Sequence, residues 1–544
     1  MKALPFLVFA LCLAAGCSKG GFSKRGSGDS GTLRYALPDN PTTLDPGRVQ
    51  DTETMDVLQN VFEGLVGYDE NNRVLPVLAE KWTVENGGRT YVFTLKAASF
   101  HDGGQVTADD VRWTLERNVA EDFQSPIARD YLSDIEGVAE YSAGKAARIS
   151  GIEVVDDRVL KLTLDKPKPY FLGKLTYPCA FVLSRKSAGR EEFKDVRQAV
   201  GTGPYRFEEY LPGQSVTLAA FPDYHRGAPR LKRIVRPILK DPSTRLSKFK
   251  SGELEYVSLP RQDLAAVHAD PSLKSRLQFL PRPTFFYIGA NPRQYAPFKD
   301  RRVRRAMAMA IDRQKLADEI LGEVPAACGI VPPGVPGHRE GARCLPYDPE
   351  AAKRELAAAG YPGGKGLPPL TITIRDQAVD FRLGAEAIAS DLQKNLNWPV
   401  KVRTMEFRSL FEARNAKKLP CYHGNWSADY LDPQNFLSMI LSGEGSLNFD
   451  SYSNPEFDRL CALADIEQDE PKRLKLYAQA EDIALQDAAR TPVYYGRDAI
   501  LVSPRVSNLK LNLFGLMPHR TTEVGSPPTT SARRAAVALR SSRG

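Results

Sequence analysis

Leu75-Pro76-Val77-Leu78-Ala79-Glu80-Lys81-Trp82, then Thr90-Tyr91-Val92-Phe93-Thr94-Leu95-Lys96, then Thr107-Ala108-Asp109-Asp110-Val111 is the stretch on which the fold class turns. Tyr91 to Leu95 has the length and residue types of a half-buried strand. Thr107 then precedes an acidic first turn, Asp109 and Asp110, and the apolar positions Val111, Trp113 and Leu115, which predicts a capped helix. Further strands are expected at Leu160–Leu164, Val216–Leu218 and Leu370–Ile374. Between Asp300 and Asp312, Val303, Ala306, Met307, Ala310 and Ile311 form one apolar helical face, leaving Arg301, Arg302, Arg304 and Arg305 as a solvated edge. Asp348-Pro349-Glu350 starts another helix, with Asp as cap and Pro at the first helical position, and Gly360 ends it. Strand and helix signals alternate without a 20–50-residue repeat, so the chain reads as mixed α/β with several sub-domains and not as a solenoid.

The scale agrees with that reading. The chain has 544 residues, 42% apolar and 26% charged, with 41 glycines and 40 prolines, as in an ordinary globular protein of at least two lobes. A net charge of +8 on this length does not indicate a nucleic-acid partner. At the N-terminus, Lys2 and the apolar run Ala3–Ala15 suit an export signal and are too short for a membrane-spanning helix. Residues 17–31 are rich in Gly and Ser and read as a flexible tether, and residues 521–544 as a disordered basic tail. After loss of residues 1–16, cysteines remain at 179, 328, 344, 421 and 461 besides Cys17. Either Cys328 and Cys344 close the Pro/Gly-rich loop between them, or all five stay as buried thiols; no C-x-x-C pair suggests zinc.

Leu13-Ala14-Ala15-Gly16-Cys17 resembles the lipobox of bacterial lipoproteins, which implies a signal peptide over 1–16 and a lipid on Cys17. The body resembles the extracytoplasmic peptide-binding proteins of ABC importers, solute-binding family 5. The resemblance rests on Leu44-Asp45-Pro46, Val61-Phe62-Glu63-Gly64-Leu65, the opening stretch with Phe100-His101-Asp102-Gly103, Gly201-Thr202-Gly203-Pro204-Tyr205, Pro297-Phe298-Lys299-Asp300-Arg301-Arg302, Tyr347-Asp348-Pro349 and Trp426-Ser427-Ala428-Asp429-Tyr430-Leu431-Asp432-Pro433, in family order across residues 32–520. It implies a two-lobed type II periplasmic-binding-protein fold of the large, three-sub-domain kind, closing about a hinge. Lobe 1 would combine 32–62, 186–285 and 496–520, with 63–185 attached to it, and lobe 2 would be 286–495. The implied partners are a peptide ligand, the permease and ATPase of the importer, and a membrane through the lipid; a monomer is expected, with no nucleic acid, cofactor or metal.

The same resemblance assigns the site. A peptide ammonium carried from water into a closed cleft needs an anion, and Asp429 matches the acid that meets it. Trp426 matches an aromatic wall of the first side-chain pocket. Arg375, at the end of the strand from Leu370, matches the arginine that takes the ligand carboxylate, for which a bidentate fork is suited. His423 stands where oligopeptide receptors can carry an arginine, and Tyr494 and Tyr495 match a tyrosine-bearing cleft strand. Gln50, Asp51 and Thr52 match the segment that pairs with the ligand backbone, whose N–H and C=O groups repeat whatever the side chains. Gly201 and Gly203 are expected to permit a tight turn.

Other classes fare less well. An H-E-x-x-H, G-x-S-x-G or Walker-type motif is lacking, and the six histidines at 101, 225, 268, 338, 423 and 519 form no helical pair, which argues against an enzyme. Gly28-Asp29-Ser30-Gly31 mimics a protease motif on a tether that cannot hold a nucleophile. A receptor for a metal chelate such as nickel, haem, an opine or an oligosaccharide is the competing reading, with a peptide-sensing lipoprotein behind it, because one fold hosts many ligands.

Overall fold

The computed structural model describes residues 30–376, 378–445 and 447–525; the expected signal peptide, Cys17, the tether up to residue 29 and the tail from 526 lie outside the described residues. The organising element is a six-stranded sheet in the order Tyr256–Leu259, Arg490–Val502, Leu277–Ala290, Cys421–Ser427, Leu370–Arg375, Val400–Met405. Two of its strands, Leu277–Ala290 and Arg490–Val502, are 14 and 13 residues long, against a usual five or six. One end of this pair joins Tyr256–Leu259, and the other joins Cys421–Ser427. Their pairing slips between Pro281 and Phe285. The reason is local: in Pro281-Arg282-Pro283 two residues lack the N–H that a ladder needs.

On one face of this sheet, helices Arg301–Ala310, Pro349–Ala358 and Val379–Leu396 pack with Ile372, Ile374, Ile388 and Trp398 in a continuous core. On the other face, Pro455–Ile466 and Glu470–Gln486 pack with Phe285, Tyr287 and Tyr422. A second sheet of Thr32–Arg34, Arg233–Pro237, Ser215–Ala220 and Tyr205–Leu211 has its own core, and a third, Ala79–Glu85, Thr90–Leu95, Val159–Thr163 and Ile152–Asp156, has another. The helix after Thr107 forms with the expected reciprocal cap: Thr107 Oγ1 accepts from Asp110 N, and Asp110 Oδ2 accepts from Thr107 N.

Three expectations change. Arg304 and Arg305 are not a solvated edge: Arg304 donates to the carbonyls of Phe298 at 2.6 Å and Asp487 at 3.0 Å, and Arg305 to Glu355 at 2.9 Å, so these stems fasten their helix to its neighbours. Paired backbone continues past the expected limit of 520, because Glu523 and Val524 pair with Val506 and Ser507 and Val524 O accepts from Gly31 N. Gly201 and Gly203 serve close approach more than a positive φ, since a Cβ on Gly201 would run into the backbone of Val61 and one on Gly203 into that of Asn60 and Val61. Of the two alternatives for the loop cysteines, Cys328 and Cys344 are bonded, with Cα atoms 5.3 Å apart, while Cys179, Cys421 and Cys461 are buried thiols.

The second and third sheets are tied by a buried ion pair. Arg117 Nη2 donates to Asp45 Oδ2 at 2.5 Å with both side chains essentially inaccessible, and Asp45 also accepts from Gly47 N and Phe193 N. Arg117 is further held by the carbonyls of Gly189 and Glu191 and lies over the Phe123 ring at 4.0 Å. Leu44-Asp45-Pro46 is therefore a structural joint. Arg117→Met should lower unfolding free energy by about 3–5 kcal/mol by leaving Asp45 buried and unpaired, and adding Asp45→Asn should restore part of it; denaturant midpoints of the three variants test this.

Candidate functional site

The parallel strands Leu370–Arg375, Val400–Met405 and Cys421–Ser427 all end on one side of the central sheet. Side chains just beyond the carboxyl ends of such strands face open space, the usual place for ligands in α/β sheets. Arg375 and Asp429 both lie there by chain position, one at a strand end and one two residues past it.

Around Asp429 the surroundings are aromatic and polar, and the nearby cation Lys174 is committed elsewhere. Asn435, fully buried, uses its Oδ1 to accept the Asp429 backbone N–H and the Trp426 indole N–H, each at 3.1 Å. One amide thereby sets the position of both residues. Burial pushes the Asp429 carboxyl up to about 6, against the opposing pull of Asn435 and Tyr131, with Asp130 adding to the rise and Lys174 acting against it. Lys174 is itself committed to Asp134 at 2.6 Å, and Asp429 has no ion-pair partner among the described residues.

Opposite stand Tyr131 and Tyr177, stacked with ring centroids 4.0 Å apart. Burial raises the Tyr177 hydroxyl above its ordinary value, and the charges of Asp429 and Asp51 raise it further, so both acids converge on this ring. The Tyr177 hydroxyl donates to Val49 O at 3.3 Å, which brings the segment Val49-Gln50-Asp51-Thr52 to the same place. Within it Gln50 and Thr52 are exposed. The Asp51 carboxylate caps the helix Thr52–Leu58, accepting from Thr54 N at 2.8 Å and Thr42 Oγ1 at 2.6 Å. Asp51 is thus a cap as well as a neighbour of the site.

Strand register separates the remaining candidates. Phe285 pairs with Trp426 and Tyr495, and Phe286 with Asn425 and Tyr494, so Trp426 and Tyr495 share one face of the sheet and His423 and Tyr494 the other. Two candidates are corrected here. The Tyr495 hydroxyl is occupied by Gly329, accepting its N–H and donating to its carbonyl, both at 3.0 Å. His423, 1% exposed, pairs Nδ1 with Phe381 O at 3.1 Å and packs against Gly384, where any Cβ would meet the ring; burial pushes its imidazole down to about 4, which keeps it neutral. His423 supports Phe381 from behind, and its Nε2 has no hydrogen-bond partner among the described residues.

Tyr494 stacks on Phe286 at 4.2 Å. Arg375 is exposed, lies over the Phe381 ring at 4.9 Å, and borders an opening of about 380 Å³ with Asp376, Glu406 and Phe407. The residues that sequence reasoning missed are Tyr131, Tyr177 and Asn435. Asn435 lies two residues past the quoted Trp426–Pro433 run and could have been found by extending it; the tyrosines, some 250–300 positions upstream, left no local signal.

These features can be set beside known proteins. A family model described as bacterial extracellular solute-binding proteins, family 5 Middle, matches residues 73–448. The chain is 30% identical over 493 residues to the probable deoxycholate-binding periplasmic protein YgiS of Escherichia coli K12, covering 88% of this chain and 91% of that protein. It is 29% identical over 496 residues to the periplasmic oligopeptide-binding protein OppA of the same organism, covering 85% and 87%. The unliganded open form of the periplasmic murein tripeptide binding protein MppA superposes with a TM-score of 0.79 at 26% identity, covering 91% of this chain and 98% of that one. With its mixed α/β sheets, its long strand pair and this coverage, the chain belongs to the bacterial extracellular solute-binding proteins of family 5 and has their two-lobed fold.

Proposed function

We propose that the protein captures di- and oligopeptides outside the cytoplasm in the cleft between its lobes and delivers them to the permease and ATPase of an ABC importer, acting as a receptor and not as a catalyst. One observation carries the reading: Asp429 is a half-buried acid raised by burial, with no ion-pair partner among the described residues, framed by Tyr131, Tyr177 and Trp426. Its missing partner is an ammonium, and aromatic walls accept varied side chains. OppA, which is oligopeptide-binding by name, supports the choice of ligand. Arg375 supplies the opposite charge for a carboxylate. In this reading lobe 1 comprises 32–62, 186–285 and 496–525, with 63–185 attached, and lobe 2 comprises 286–495; the slip at Pro281–Phe285 supports a hinge there. The monomer is anchored to a membrane by lipid on Cys17.

Native mass spectrometry of the purified, signal-less protein tests the ligand class. A co-purified peptide mixture is expected; a metal chelate, haem or sugar overturns the reading. Asp429→Ala should weaken peptide binding about a hundredfold by calorimetry. The same residue governs stability. Its carboxyl titrates near 6 in the folded protein against an ordinary 3.8, so the fold favours the protonated form and Asp429 becomes progressively unfavourable as pH rises from about 4 through about 6. Ligand-free Asp429→Asn should therefore melt higher than wild type at pH 7 and with a flatter pH dependence between 4 and 6, as read by thermal scans.

A further inference from the structure

Beside the disulfide, at the start of the strand Arg490–Val502, five segments of chain close round a cavity of about 10 Å³, room for one water-sized guest. Its walls come from the helix Arg301–Ala310 through Ala308, the turn after it through Arg313, the bonded Cys344, the end of the helix Glu470–Gln486 through Leu485, and the strand start through Arg490 and Thr491. Three of these residues carry N–H or O–H groups that no described acceptor takes. Thr491 is 1% exposed and its hydroxyl has no hydrogen-bond partner among the described residues; the same holds for Arg313 Nε and for Arg490 Nη1 and Nη2. Each such group is costly to leave unpaired away from water.

The charges on these walls are unevenly met. Arg490 is paired with Asp450, whose Oδ2 accepts from its Nε at 2.5 Å with both side chains inaccessible, and its guanidinium lies 4.4 Å over the Tyr287 ring. Arg313 has no such partner. Its Nη1 and Nη2 donate to the carbonyls of Leu345 at 2.8 Å and Ala308 at 3.1 Å, and it makes no ion pair among the described residues. Burial pulls its guanidinium down to about 10, with Tyr495 acting the other way. The neighbouring Asp312 is taken up by capping, its carboxylate accepting from Lys315 N at 3.0 Å.

We propose that this cavity binds one halide ion, chloride under ordinary conditions, held by the Thr491 hydroxyl and the Arg313 Nε–H beside Arg490. Size, charge and donor chemistry select the guest. The volume admits a single atom and excludes sulfate, phosphate or a carboxylate. A cation is repelled by the guanidinium of Arg313. A water can accept from these donors but must place two hydrogens of its own, and the carbonyls of Ala308 and Leu345 on the same walls already accept from Arg313. A halide accepts from every donor and balances the unpaired guanidinium, as a charge removed from water requires. The ion joins the strand start to the turn after Arg301–Ala310 next to the bonded Cys344, so it binds the folded chain and not the unfolded one, and stabilises by mass action.

The test uses the purified, signal-less protein without peptide, so that its outcome does not depend on the ligand class of the cleft. Thermal scans at constant ionic strength, with sodium gluconate exchanged stepwise for sodium chloride or bromide, should show a midpoint that rises and saturates, by about 1–3 °C at tenfold excess over the dissociation constant. Crystals grown in bromide should give an anomalous peak in the cavity, within hydrogen-bond reach of Thr491 Oγ1 and Arg313 Nε. Thr491→Val, which keeps the shape and removes the hydroxyl, and Arg313→Met should each lose the peak and the halide-dependent rise, with circular dichroism confirming the fold. A bromide crystal of wild type without that peak means that water fills the cavity, and a midpoint indifferent to halide, or one that rises equally in wild type and both variants, means that only a general salt effect acts; any of these overturns the inference.

Discussion

The constraint on which the molecule depends is the antiparallel pairing of Leu277–Ala290 with Arg490–Val502. Two strands more than twice the ordinary length cannot belong to one small core, so they run through two. At one end they complete a sheet edge with Tyr256–Leu259, and at the other they hold Cys421–Ser427. The two prolines at 281 and 283 remove ladder donors where the strands cross from one core to the next. A stretch without ladder hydrogen bonds is where the strand pair bends at least cost.

Two acidic side chains in this structure have opposite status. Asp45 is fully buried and is compensated by Arg117 and by backbone N–H groups, and it joins two sheets. Asp429 is half-buried, has no ion-pair partner among the described residues, and its carboxyl is raised by burial. An ion pair of the first kind holds a fold together; a carboxylate of the second kind weakens the empty fold and strengthens the complex with a cation. Arg375, by contrast, is exposed at the strand end and makes no ion pair among the described residues.

Local sequence disclosed local structure well. Thr107 and Asp110 form the reciprocal cap that their spacing implies, and the period-2 runs at 90, 160, 215 and 370 become strands. Charge alone misled at Arg304 and Arg305, whose long stems reach carbonyls of other elements. For the site, Trp426 and Asp429 stood out in one run, yet their partners Tyr131 and Tyr177 come from elsewhere in the chain. Adjacent positions in one strand also point oppositely, so Tyr494 and Tyr495 could not be sorted without the register of their neighbours; Phe285 and Phe286 sort them.

The sequence by itself determined the family resemblance, the α/β class, the helix caps and the residue types able to meet an ammonium and a carboxylate. These depend on periodicity, spacing and side-chain chemistry, which are written locally. Only the tertiary structure decided that Tyr495 and His423 serve the core and that Asn435 sets both Trp426 and Asp429. The physical reason is that desolvation and ion pairing are properties of what surrounds a group, and those surroundings are assembled from segments hundreds of residues apart.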